Sequence, residues 1–318
     1  MDLKLERYTD AERALWDAFI DSSKNGTFIL RRGYLEYHRD RFADHSLVAR
    51  SSDGTVVALL PAHRRGDTLS SHSGLTYGGW ITNNSMKTAT MCQIWQAMLT
   101  ELQASGIRTL GYRPSPHIYH SFPSEEDLYC LGTSGARLVR RSPLSVVSLF
   151  DRMQYQERRR RGIRNALRSS VEVRESEDWE SYWNLLQRVL DERHVASPVH
   201  TLSEIRQLQE LFPRNIRLFA AHAGSMMIAG VVVYDTGFVA RAQYIAANEE
   251  GRIRNALDLL FDYLLGGVFK DRRFFDLGSS DGSSGDGLNQ PLIEFKEGFG
   301  ARTVVLDTYE LDVSPSHA

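Results

Sequence analysis

Apolar residues between positions 88 and 106 recur as Met91, Ile94, Trp95, Met98, Leu99 and Leu102, which lays one stripe along a helix. The same increments return 166 residues later in Leu257, Leu260, Phe261, Leu264, Leu265 and Val268. Each stripe is followed by a short strand-like run, 108–111 in one case and 273–277 in the other. Upstream, apolar runs flank a tight turn twice: 47–49 and 55–62 meet at Asp53-Gly54, and 218–221 and 227–234 meet at Gly224. An Asp-Gly pair between such runs is a strong hairpin signal. Two helical stretches precede each hairpin, 11–20 and 33–42 against 179–190 and 202–212. Gly135-Ala136-Arg137 returns as Gly300-Ala301-Arg302, each opening a closing pair of strands.

The offsets between matched elements stay between 165 and 170 residues, as expected where only loops changed length. The pattern therefore predicts an α+β chain of two tandem domains, each a mixed twisted sheet flanked by helices in the order β-α-α-β-β-β-α-β-α-β-β. The first domain is expected over residues 1–150 and the second over 169–313. A basic helical linker, 151–168, joins them, where Glu157 and four successive arginines run into Ile163, Ala166 and Leu167. Such a charge run suits a solvated helix face or a phosphate patch, and both readings stand.

Composition narrows the function classes. Thirty-eight basic residues against 40 acidic give a net charge of −2, with 42% hydrophobic and 25% charged residues among 318. That excludes a disordered chain and a uniformly basic DNA binder. No apolar run approaches the ~20 residues needed to cross a bilayer, so no membrane insertion is expected. Residues 1–16 are charged and amphipathic, without a signal-peptide core, which points to the cytoplasm. Cys92 and Cys130 sit in apolar surroundings and read as buried free thiols. The small, polar stretch 278–287 reads as a flexible loop at a strand end, since its Asp spacing does not match a calcium loop. No zinc spacing, phosphate-binding P-loop or Gly-x-Ser-x-Gly elbow occurs, and no metal is expected.

The element order, used twice, resembles the GNAT acyltransferase superfamily in a tandem, Fem-type (FemAB-like) arrangement. The strings SSHSGLTYGGWI (70–81), YRPSPHIYH (112–120), SPVHTLSEI (197–205) and ARAQYIAANEEG (240–251) look like GNAT-type N-acyltransferases of nucleotide-linked amino sugars. The resemblance covers about residues 3–312 and implies an acyl-coenzyme A donor, a nucleotide-linked amino sugar as acceptor, and a place in surface polysaccharide assembly. It also implies donor binding along Tyr244 and Ile245 and at the helix start marked by Arg252, Arg254, Asn255 and Ala256. Helix N-termini attract phosphate through free N–H groups and the helix dipole. The superfamily's two glycines are replaced here by Asn255 and Leu257. The first copy has only Lys87 at the equivalent place, so the first domain is expected to be a degenerate substrate platform.

Acyl transfer to an amine needs a proton acceptor and a donor for the oxyanion. By position in the superfamily plan, His200 and Gln243 are the catalytic candidates. By strand alternation, at most one of Gln243 and Tyr244 faces the thioester. His72 and Tyr77, in a glycine-rich segment that lets a ligand approach the backbone, are acceptor candidates, with Arg113, His117 and Tyr119 in a Pro-rich loop. The same segments also suit a bulged strand packed on its neighbour. Two further functions fit the pattern: a Fem-type aminoacyltransferase acting on a peptidoglycan precursor, and a non-catalytic GNAT-like binding module.

Overall fold

The computed structural model describes residues 3–71, 73–192, 198–282 and 287–314. The chain divides into two compact units, residues 1–142 with 305–318, and residues 143–304.

The first unit opens with β1 (Leu3–Arg7), α1 (Arg13–Ser22) and the short α2 (Arg32–Leu35). The hairpin β2 (Leu47–Ser51) and β3 (Val56–Leu60) follows, then β4 (His63–Arg65), β5 (Thr68–Ser70) and β6 (Ile81–Thr82). After them come α3 (Thr88–Ala104), β7 (Thr109–Tyr112), α4 (Glu126–Thr133) and β8 (Arg137–Ser148). The apolar stripe of α3 is buried as expected, against Leu47, Ala58, Leu60 and Leu110. The helix expected over 33–42 stops at Leu35. Beyond it, His38 and Phe42 leave helical register to join an edge-on aromatic cluster with His63 (4.8 and 4.9 Å between ring centroids), and that tertiary packing overrides local helix preference.

The second unit contains α5 (Glu157–Arg168), β9 (Val171–Ser176), α6 (Trp179–Glu192) and α7 (Leu202–Leu211). Strands β10 (Ile216–Ala223), β11 (Met226–Asp235) and β12 (Val239–Ala247) form the expected meander. Then come α8 (Glu249–Ile253), α9 (Ala256–Tyr263), β13 (Phe274–Ser279), α10 (Gln290–Glu297) and β14 (Arg302–Asp312). Within this unit the sheet order is the second half of β8, then β13, β12, β11, β10 and β9. Its core is aromatic and aliphatic, with Phe219, Val231, Val233, Phe261 and Phe275 fully buried between sheet and α9.

Three expectations change. Residues 157–168 are no linker: Ala166 of α5 is buried with Ala256 of α9 and Ala221 of β10, so the helix belongs to the core of the second unit. Its basic face is what made it resemble a spacer. The boundary also falls at Ser142, inside β8, instead of at residue 150, and the last residues of the chain return to the first unit, where Tyr309–Asp312 pair with β7. Finally, each copy closes with one long strand in place of a pair. Cys92 and Cys130 are free thiols, as expected, 3.5 Å apart, but Cys92 is only half-buried. Among the described residues no helix is long and apolar enough to cross a membrane.

Candidate active site

Strands β12 and β13 run parallel, yet they pair only from Val239↔Phe274 to Arg241↔Asp276. Past that point β12 continues to Ala247 while β13 turns at Gly278, whose φ of 80° favours glycine. Between the parting strands opens a cleft of about 760 Å³, lined by Gln243 and Ile245 on one side and Leu277–Ser279 on the other. That volume lies within the ordinary range for small-molecule sites.

A bulge sets which side chains face it. Val232 pairs with Tyr244 and Val233 with Ala242, leaving Gln243 as the extra residue. Alternation changes phase there. Ala240 and Ala242 before the bulge share an apolar cluster with Ile245 after it, whereas Tyr244 packs on Trp183 of α6. Gln243 lines the cleft, and its buried Oε1 has no hydrogen-bond partner. An orphaned acceptor of this kind costs about 1–3 kcal/mol unless a ligand satisfies it.

The end of the cleft is formed by α8 and α9. Asn248 caps α8 through its side chain, accepting from Gly251 N at 2.8 Å. Gly251 is obligatory by contact: a Cβ there would stand 2.2 Å from the Ile228 carbonyl oxygen. Asn255 takes the left-handed conformation (φ 57°, ψ 37°), which asparagine tolerates better than most residues, and α9 starts afresh from it at the cleft. Arg252, Asn255 and Leu257 line the cleft. Arg254 does not: its guanidinium is held by Glu250 (2.6 Å) and the Ser169 carbonyl (2.8 Å). Ala256 is fully buried beneath the helix start.

Opposite lies a residue that the pattern did not single out. Lys296 of α10 lines the cleft with only 2% of its surface exposed, and its Nζ donates to the carbonyls of Gly278 (3.0 Å) and Ser279 (2.6 Å). Burial pushes its pKa down to about 8, against the opposing pull of Asp276. Two of its three N–H groups are used, leaving one for a ligand. The fully buried Asp276 is in turn salt-bridged to Arg241 and accepts from Gly278 N at 2.7 Å. Asp276 leaves a trace in sequence as a charge inside the apolar run Phe274-Phe275-Asp276-Leu277, whereas Lys296, set among Glu294, Phe295 and Glu297, leaves none.

His200 is placed differently from the expectation. It is buried, does not line the cleft, and its Nδ1 lies 2.5 Å from the hydroxyl of Tyr244. In the first unit, Gly78 N donates to the Arg113 carbonyl (2.8 Å), so the glycine-rich segment and the Pro-rich loop do meet. Their side chains serve the unit itself. Tyr77 and Tyr119 are each 1% exposed and pack ring to ring at 4.6 Å, Tyr77 also sharing a hydrogen bond with Thr27 (3.1 Å). Both rings are closed to a ligand in this conformation, because the loop packs on the segment that was expected to open toward one. Arg113 is half-buried with its Nε on Thr308 Oγ1 (3.1 Å), and His117 is exposed. His72 lies outside the described residues, as do residues 283–286 of the polar loop.

A sheet whose adjacent strands part over a helix start defines the GNAT class of acyltransferase fold. Residues 153–286, which hold all of this cleft but Asn289 and α10, match the acetyltransferase (GNAT) domain family, so this segment is a GNAT-type domain and the chain carries an acyltransferase fold. Whole-chain similarity extends to many solved structures, three of which follow. FemX superposes with a TM-score of 0.68 at 11% identity, over 97% of both chains. L-PGS from Bacillus licheniformis gives 0.60 at 12% identity, over 98% of this chain and 94% of that one. A tandem GNAT protein from the clavulanic acid biosynthesis pathway gives 0.54 at 14%, over 99% and 100%. No curated protein sequence matches the chain.

Proposed function

We propose that the protein transfers an acyl group from acyl-coenzyme A to the amine of a nucleotide-linked amino sugar. The carrying observation is the cleft between β12 and β13, which ends on Arg252 and the start of α9 and holds two unsatisfied polar groups, Gln243 Oε1 and one N–H of Lys296. A thioester supplies the activated acyl carbon. Arg252 and the N–H groups of the α9 start hold its phosphates. Gln243 orients an amide or the incoming amine, and Lys296 donates to the oxyanion. His200 acts through Tyr244 as a positioning residue. The choice of an amino sugar rests on the sequence strings around residues 70–81 and 112–120, which would make the first unit the acceptor platform, with Arg113 and the exposed His117 as its contacts. Surface polysaccharide assembly in the cytoplasm follows from that acceptor. The test is a panel of acyl-coenzyme A thioesters against amino-sugar nucleotides, scored for thiol release. Release that depends on one acceptor supports the reading, and no release with any pair rejects it.

A second reading, Fem-type transfer from aminoacyl-tRNA, is favoured by one observation: exposed arginines of α5 stand beside the cleft. Aminoacyl-tRNA added to the same panel separates the two.

A further inference from the structure

A second groove, of about 540 Å³, adjoins the cleft. Arg158, Arg159, Asn255 and Asp258 line both, so the two are continuous at the start of α9. Beyond them the groove is walled by Arg161, Arg164 and Arg168 of α5. Arg158, Arg161 and Arg168 fall at intervals of three and seven residues, one stripe on a helix that rises ~1.5 Å per residue. All three are exposed, and among the described residues none makes a salt bridge. The carboxylates nearby are spoken for. Asp258 is buried in its ion pair with Arg159, and Glu157 bridges Arg160 (3.0 Å) and Arg164 (2.8 Å) on the adjacent face. Asn165, in the same stripe, is tied to Asn255 Oδ1 at 2.7 Å, which fastens the groove to the α9 start. Three guanidinium groups without a salt-bridge partner lie along one wall; Glu157 and Asp258 offset part of the charge of Arg161 and Arg158, and an anion between the three would offset more.

We infer that this groove is a second phosphate subsite of the donor, which binds a phosphate on the nucleotide's ribose, beyond the phosphates at the start of α9. The inference rests on the acyl-coenzyme A reading, in which the ligand is the 3′-phosphate of coenzyme A. The cleft takes the pantetheine arm, the α9 start takes the pyrophosphate, and α5 takes the remaining charge. A single RNA strand carries the same phosphate chemistry, and the measurement separates the two sources.

The experiment is isothermal titration of the full-length protein with coenzyme A and with 3′-dephospho-coenzyme A. A short single-stranded oligoribonucleotide serves as competitor. The wild type is expected to bind coenzyme A about tenfold or more tightly than the dephospho form, the range for charge-assisted phosphate contacts. The double variant Arg161→Ala, Arg168→Ala, which leaves the lining of the donor cleft intact, is expected to bind both ligands alike, with its affinity for the dephospho form near that of wild type. The wild-type preference should shrink as salt is raised. Equal binding of both ligands by wild type overturns the subsite while leaving the donor reading intact. Binding of neither rejects the donor itself. Displacement of coenzyme A by the oligoribonucleotide at lower concentration, lost in the double variant, assigns the groove to a polynucleotide instead.

Discussion

In the proposed reaction the chemistry turns on Lys296 and Gln243, and each would trade stability for function in a measurable way. Lys296→Met keeps the length of the side chain and removes the donor, and kcat is expected to fall ~10²–10³-fold, the range for loss of one oxyanion donor. Because the ammonium is the donating form, wild-type activity should decline as pH rises through about 8. The same shift has a stability consequence. Between about 8 and the ordinary lysine value of 10.5 the unfolded chain binds more protons than the native one, so wild-type stability rises with pH across that window. The Met variant should lose this rise, read as melting temperature against pH. Gln243→Leu is expected to lower kcat/KM while leaving stability unchanged or raised, since it removes an orphaned buried acceptor. Denaturant titration beside steady-state kinetics checks both halves. A fall in both would mean that Gln243 is structural.

At the scale of elements, the start of α9 is built from contacts that only neighbouring elements explain. Gly251→Ala would drive a methyl group into the Ile228 carbonyl, and a loss of ~1–3 kcal/mol in chemical denaturation is expected. Arg252→Ala should weaken coenzyme A binding about fivefold, a modest figure because the side chain is 44% exposed. Arg254→Ala and Lys87→Ala should change it little, since Arg254 is engaged by Glu250 and Ser169. Equal losses from all three would place the donor elsewhere. Asp258 joins α9 to α5. Its carboxyl faces Gly162, where a Cβ would collide with it, and burial raises its pKa to about 6 despite Arg159. Between 3.8 and about 6 the native state therefore binds more protons than the unfolded one, and stability falls as pH rises through that range. Asp258→Asn should flatten this slope in melting curves taken from pH 3.5 to 7.

For the whole molecule, the duplicated plan was legible because hydrophobic period is a local property. The stripe of α3, its counterpart around α9, the Asp53-Gly54 hairpin and the Gly-Ala-Arg strand starts can each be read from a dozen residues. So can the left-handed tolerance of Asn255, which the structure uses at φ 57°. What the local pattern left open depended on which elements meet. The bulge at Gln243 is a matter of register between β11 and β12, and it sends Tyr244 to the α6 side with His200. Arg254 has the same charge as Arg252 but finds partners on α8 and at Ser169, just past the end of α5, which no spacing rule encodes. The basic run of α5 looked like a linker because four arginines hide the Gly162 and Ala166 that bury it. Nothing in the local pattern separates Lys296 from a surface lysine; the parting of β12 and β13 is what places it under two carbonyls. Element type and order come from the side-chain period of each segment. The site comes from burial, register and partner choice, which exist only once distant segments are packed together.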